Sequence, residues 1–295
     1  MSTGHVEAIP PGVTLYKGDI RDTSFLDVVF SKEKITSVMR FAADSLVGVS
    51  VEEPLTYYNN NVGGAITLLE AMKRHKINNI VFSSTAATFG EPVKQPIVET
   101  DIQVPSNPYV ETKLAIEKLL KWTANSSKLK YKVLRYFNVA GADPKGRVGE
   151  DHRPESHLIP LVLEVALGKR KNISIFGDTY LTKDGTCVRD YIHVSDLIDA
   201  HILALDDLIA GGENADYNLG NGQGFSVKEV IDVCRKVTEH NIPAIIAPIR
   251  LGDPAILIAS SSKAQQNLGW VPKHAKLNQI VADAWQWFQK NPNGY

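Results

Sequence analysis

From its first residues the chain alternates short apolar runs rich in β-branched residues with longer stretches of helical apolar spacing. "VTLYKGD" (residues 13–19) predicts a strand and residues 22–30 a helix. "TSVMRFAA" (36–43) predicts the next strand, and Pro54 opens a long helix running through His75. "NNIVFSS" (78–84) reads as a third strand, residues 107–125 as a helix and "YKVLRYFNVAG" (131–141) as a further strand. Strands alternating with helices of this length build βαβ units, an α/β fold and a parallel sheet with ligands at its carboxyl edge. The strand-end residues Asp19, Ala42, Ala43, Ser83, Ser84, Thr85 and Asn138 are therefore expected to line a site.

Beyond about Gly141 the texture changes. A stretch with Gly141, Pro144, Gly146, Gly149 and Pro154 precedes a helix at 158–168. Short strands ("ISIFG", "ADYNLG", "PAIIAP") and helices at 195–210, 226–239 and 277–290 follow. Two domains are expected, 1–140 around the parallel sheet and 141–295 as a smaller α/β substrate domain packed against the sheet edge. "GNGQG" (220–224) has the spacing G-x-G-x-G rather than G-x-G-x-x-G, and Ser226 with Glu229 forms a capping-box pattern behind it. A tight strand-to-helix turn is the expectation there.

Composition narrows the partners. The 295 residues are 43% hydrophobic and 22% charged, with net charge −1, which suits a soluble globular protein with a proper core. No basic surplus exists to neutralise phosphates, so neither a nucleic-acid nor an anionic-membrane partner is expected. Cys187 and Cys234 cannot form a disulfide framework and are not spaced as metal ligands; the His residues are dispersed, and no metal site is expected. The apolar stretch at 158–167 is broken by Pro160 and Glu164 and is too short to span a bilayer. "MSTGHVEAIPPG" lacks an apolar signal core, and a reducing, cytoplasmic compartment is expected.

Candidate chemistry enters with "NPYVETKLAIEKLL" (107–120). Asn107-Pro108 is a helix-start signal, and on the helix that follows Tyr109 and Lys113 share one face. A cation held near a phenol favours the phenolate, which makes a general base. A core Tyr beside a solvated Lys satisfies the same spacing.

The pair does not stand alone. "FSSTAATFGE" (82–91), "NPYVETK", "LRYFNVAGA" (134–142), "GTCVRDYIHVSDL" (185–197) and "RLGDPA" (250–255) occur in one order. Over nearly its whole length the chain resembles the extended short-chain dehydrogenase/reductase family, in particular its NAD-dependent nucleotide-sugar epimerases. The resemblance implies a Rossmann-like sheet and epimerisation at C4 of a UDP-sugar, with hydride passing to NAD and back. It makes Tyr109 the base on the 4-hydroxyl, Thr85 the hydroxyl holding the reacting oxygen and Lys113 the grip on the cofactor ribose. Asp19, Ile20, Ala42, Ala43, Asn61, Tyr109 and Lys113 then belong to the NAD site. Asn138, Ile175, Phe176, Arg189, Tyr191, Arg250 and Asp253 belong to the UDP-sugar site, where Arg suits a diphosphate because its planar fork pairs two oxygens. Leu257 falls where the family tunes access for N-acetylated sugars, and its middling bulk suits either kind. Related dehydratases carry Asp-Glu directly after the strand-end Thr; Ala86-Ala87 stand here and cannot move protons. The family is usually dimeric, so a homodimer through the helices at 54–75 and 107–125 is expected.

The pattern also breaks. The family opens with a strand, a G-x-x-G-x-x-G turn, a helix and a second strand, whereas "MSTGHVEA" resembles the segment just beyond them. The sheet is therefore expected to lack its N-terminal βαβ unit, leaving residues 13–19 without a neighbour and 36–43 at an edge. Arg40 stands where the family usually has His, and Val110 where Gly is common. Two explanations stay open: a true start upstream in a complete enzyme, or a UDP-sugar-binding remnant without tight NAD binding.

Overall fold

The computed structural model describes residues 3–250 and 253–295. Asp22 accepts the Phe25 amide at 3.0 Å and so caps α1 (Thr23–Lys32). After β1 (Ser37–Arg40) and α2 (Val47–Glu52), Pro54 opens α3 (Pro54–Tyr57). A π-helical turn (Tyr58–Gly63) carries the rod on into α4 (Gly64–Arg74), so the long helix expected from Pro54 exists with one wide turn inside it. β2 (Asn79–Thr85) follows. Asn107 then accepts the Val110 amide at 3.1 Å and caps α5 (Pro108–Asn125), which leads to β3 (Lys130–Tyr136). The run at 131–141 is not one strand: β3 stops at Tyr136, and β4 (Asn138–Ala140) enters a different sheet.

The second half comprises α6 (Leu158–Ala166), β5 (Ile173–Phe176), β6 (Val188–His193), α7 (Val194–Ile209), β7 (Ala215–Leu219) and β8 (Gly224–Ser226). It continues with α8 (Val227–Thr238), β9 (Ala244–Ala247), β10 (Ile256–Leu257), α9 (Ser262–Leu268) and α10 (Leu277–Lys290). The "GNGQG" segment is the turn from β7 to β8, and both bonds of the expected capping box are made by Ser226 and Glu229.

The first sheet has the order β1-β2-β3-β7, every pair parallel, with Thr85 beside Tyr136 at its carboxyl end. Alternation along β2 sends its neighbours to opposite faces. Ile80 and Phe82 pack with Leu68 and Met72 of α4 and Ile116 and Leu120 of α5. Val81 packs with Leu197, Ala200 and Ala204 of α7 and with Trp270. Helices thus cover both faces, as a parallel sheet requires. β7 and α7 lie beyond residue 140 in the chain yet complete this sheet and its second face.

Residues 13–19 form no strand, contrary to the expectation from their pattern. A strand needs a neighbour for its backbone groups, and among the described residues β1 pairs only with β2 and forms an edge. The remaining strands form β10-β6-β4, with β8 antiparallel to β6, and the pair β5-β9. A third core, including Val162, Ile231, Ile280 and Trp285, joins α6, α8 and α10. No helix among the described residues is long and apolar enough to cross a membrane.

Candidate active site

β2 and α5 bring the central pair to the carboxyl edge of the first sheet. The Lys113 ammonium lies 6.0 Å from the centre of the Tyr109 ring, so one helical turn does place both on one face. Thr85, the last residue of β2, meets them there, and its hydroxyl works against the effect of burial on the Tyr109 phenol. Thr85 also accepts the Ala87 amide at 3.2 Å, fixing the turn that follows.

The electrostatics differ from those expected. Burial pushes the Tyr109 phenol above its ordinary value, the Tyr136 phenol adds to this, and only the Thr85 hydroxyl opposes it. The reason lies in where the Lys113 ammonium points. It donates to the Ser83 carbonyl at 2.8 Å and sits 5.1 Å from the Phe82 ring centre. Burial pulls Lys113 down to about 7, with Arg40 pushing the same way and Glu117 opposing. The cation expected to lower the phenol thus itself loses its proton far more readily than an ordinary lysine.

The other candidate cofactor residues fall into two groups. Asn61 is fully buried in the π-helical turn and committed to protein. Its amide donates to the Asp44 carbonyl and the Thr112 hydroxyl, both at 3.0 Å, and accepts the Asp44 amide at 2.8 Å. It thereby ties the loop carrying Ala42 and Ala43 to α5. Asp19 is exposed and paired with Arg21 at 2.6 Å, which holds its carboxyl down at about 2. Ile20 packs so closely on Gly64 that a Cβ there would lie 2.7 Å from the isoleucine side chain.

Four of the candidate substrate residues form two contacts. Arg189 on β6 forms an ion pair with Asp253, and the Arg250 guanidinium lies 3.7 Å from the centre of the Phe176 ring on β5. Leu251 and Gly252 of the "RLGDPA" motif lie outside the described residues. Asn138 on β4 stands beside Tyr191 on β6. Tyr191 and Ile175, by contrast, are buried in the third core.

Sequence reasoning missed three residues at this site. Tyr136 ends β3 beside Thr85, where burial raises its phenol and Ser83 opposes the rise; its place at a strand's carboxyl end was the available signal. Glu117, one turn beyond Lys113, is buried against Arg135 of β3 at 2.6 Å. Ser84 donates to the same carboxylate, and Arg135 reaches Asp216 at 2.9 Å. Single charges on a helix and a strand gave no sign of this pairing.

A parallel sheet with helices on both faces thus carries a Tyr-x-x-x-Lys helix at its carboxyl edge. The family model described as "NAD dependent epimerase/dehydratase family" matches residues 2–220, and the chain belongs to that family. It is 59% identical over 295 residues to a UDP-glucose 4-epimerase of Halalkalibacterium halodurans, an alignment covering 100% of this chain and 88% of the relative. A crystal structure of a UDP-glucose 4-epimerase superposes with a TM-score of 0.98 at 60% identity, covering 100% of this chain and 90% of that one. The Brucella ovis UDP-glucose 4-epimerase, solved in complex with NAD, gives a TM-score of 0.94 at 42% identity over 97% of this chain and 88% of its own.

Proposed function

We propose that this protein is a UDP-glucose 4-epimerase that interconverts UDP-glucose and UDP-galactose. The observation carrying this reading is the placing of Tyr109, Thr85 and Lys113 together at the sheet's carboxyl edge, on a chain 59% identical to a relative bearing that name.

The residues at that edge fit the nicotinamide-riboside half of NAD. Among the described residues, Lys113 spends one of its three donors on Ser83, and the buried Arg40 has two guanidinium nitrogens without a partner. This edge is short of acceptors, and ribose hydroxyl and carboxamide oxygens supply them. Bound NAD supplies an acceptor for the hydride of sugar C4 and returns it to either face of the resulting ketone. Tyr109 takes the 4-hydroxyl proton, and Thr85 holds the reacting oxygen. Lys113 binds the ribose, and Thr85 opposes the burial that keeps the phenol protonated. Arg189 and Arg250 clamp the diphosphate, Asp253 takes the uridine ribose as Arg189 exchanges it for phosphate, and Phe176 borders the uracil; Asn138 orients the sugar.

The same reading takes the protein as cytoplasmic, in keeping with two free, buried cysteines. It is also read as a homodimer through α3, α4 and α5. Support comes from Leu55 and Trp122, which stand 83% and 72% exposed on those helices. Purified protein given NAD and UDP-galactose is expected to form UDP-glucose until the two sugars equilibrate. Absence of any product with NAD bound would overturn the assignment, and Trp122→Glu is expected to halve the solution mass.

A further inference from the structure

We propose that Tyr180 is a further substrate-binding residue, whose phenol donates a hydrogen bond to the diphosphate that Arg189 and Arg250 hold; this rests on the epimerase reading for the place of the diphosphate. The Tyr180 oxygen is shut off from water and has no hydrogen-bond partner among the described residues. Two other partly buried tyrosines show the ordinary arrangement. Tyr57 donates to the Leu46 carbonyl at 2.7 Å and Tyr295 to the Gly149 carbonyl at 3.1 Å. A buried donor left alone costs stability, and a fold that keeps one holds it for a partner that arrives later.

Tyr180 lies on the loop that joins Phe176, the last residue of β5, to β6 and its Arg189. The loop is fixed by its own bonds. The Tyr180 amide donates to the Gly185 carbonyl at 2.9 Å, and the Tyr180 carbonyl accepts the Thr182 amide at 2.8 Å. One Asp184 carboxylate oxygen takes the Thr186 amide and hydroxyl at 2.9 and 2.7 Å, and Ser226 donates to the other. Leu181, the next residue, is 96% exposed, so the loop runs at the surface while Tyr180 turns inward. Its ring packs over Gly177, where a Cβ would stand 2.9 Å from the ring and 2.3 Å from the Ile249 side chain. Gly177 has φ +85°, so both the backbone and the space above it require glycine. The ring is thus wedged between the residue after Phe176 and the residue before Arg250, and Phe176 and Arg250 are themselves stacked.

Charge selects the partner. Burial raises the phenol above its ordinary value; Asp253 and Cys187 add to the rise, and Arg189 and Arg250 oppose it. The phenol therefore keeps its proton at neutral pH and is a donor without an acceptor. Two of the groups acting on it are guanidiniums, which offer donors only. Asp253 is an acceptor, but it is already paired with Arg189. An oxyanion drawn in by both arginines supplies what all three side chains lack, because phosphate oxygens accept from several donors at once. Since the loop is ordered in advance, the bond costs little further entropy when the ligand arrives.

The test is calorimetric titration of the full chain with UDP, which reads binding without turnover. Tyr180→Phe keeps the ring on Gly177 and removes the hydroxyl alone. It is expected to bind UDP about 10- to 100-fold more weakly, the range of one hydrogen bond to a charged group. Without ligand it is expected to melt no lower than the parent, since the lost hydroxyl satisfied nothing. With Arg250→Ala added, the combined loss is expected to fall short of the product of the two separate losses, because both residues act on one group. UDP binding within about twofold of the parent would overturn the proposal. So would a ligand-free variant that melts lower or does not fold, because the hydroxyl would then serve the fold. Losses that simply multiply would move the bond away from the diphosphate and overturn it too. A parent that binds UDP but never converts UDP-galactose would sink the epimerase assignment and leave this inference standing; a parent that does not bind UDP would sink both.

Discussion

Lys113 and Arg189 are both cations of the candidate site, and their surroundings differ in kind. Lys113 is buried, has one neutral carbonyl as hydrogen-bond partner and faces a second cation, Arg40, which is itself pulled down to about 10 by burial. Arg189 is already paired with a carboxylate, Asp253, nearer the surface. The first region holds charge in a place that disfavours it, so a bound group supplying acceptors changes its energetics greatly. The second holds charge already compensated, so a diphosphate there exchanges one anionic partner for another. Chemistry and recognition are thus separated by how far each cation has been removed from water.

The sharpest way to break this comparison acts on the support beneath the buried region. Glu117→Ala leaves Arg135 buried with Asp216 alone and is expected to cost about 3–5 kcal/mol of stability in denaturant unfolding. A loss below about 1 kcal/mol would show that the pair does not hold β3 to α5. Titration of Lys113 sharpens the same region. Its folded value near 7 lies below the ordinary 10.5, so the unfolded chain binds more protons between those pH values. Stability therefore rises with pH across that window, and the penalty for the buried charge is complete below about pH 7. Lys113→Met is expected to stabilise the NAD-free protein at pH 6 by an amount on the order of 3 kcal/mol and to do so progressively less toward pH 10. Equal effects at both pH values would place Lys113 in water.

In the exposed region the effects are smaller. Arg250→Ala removes a charged partner of the diphosphate and is expected to weaken UDP binding by about 10- to 100-fold, read by calorimetry, with folding unchanged. Smaller again is Ser226→Ala, which deletes the capping box of α8 on the strand paired with β6, where Ser226 stands opposite Val188. A loss of about 1–2 kcal/mol in thermal unfolding is expected.

How much of this was legible depended on the range of the interactions involved. Asn107-Pro108 and the capping box at Ser226 are local devices, and both helices start where those residues place them. The Tyr109–Lys113 face follows from helical spacing alone. The strand expected at 13–19 failed because a pattern of residues specifies a strand only if a neighbour exists, and none pairs with it here. The break after Tyr136 was hidden because β3 and β4 are one residue apart and equally apolar, and the change of sheet is made by partners distant in sequence. Likewise Glu117 and Arg135 look like ordinary surface charges until α5 is laid on β3. The sequence position of Lys113 predicted a cation near a phenol, but whether that cation stays charged depends on burial, which one turn of helix cannot reveal. The histidines at 152 and 157 read as dispersed because only the folded loop brings their nitrogens to one point.

The central claim is that Tyr109 is the group accepting the sugar's proton. Its most direct test is turnover of UDP-galactose by Tyr109→Phe with NAD supplied, alongside UDP affinity measured on the same preparation. A fall in turnover of at least about 100-fold with UDP binding within about twofold of the parent is the predicted result. Turnover equal to that of the parent would contradict the account and remove Tyr109 from the chemistry.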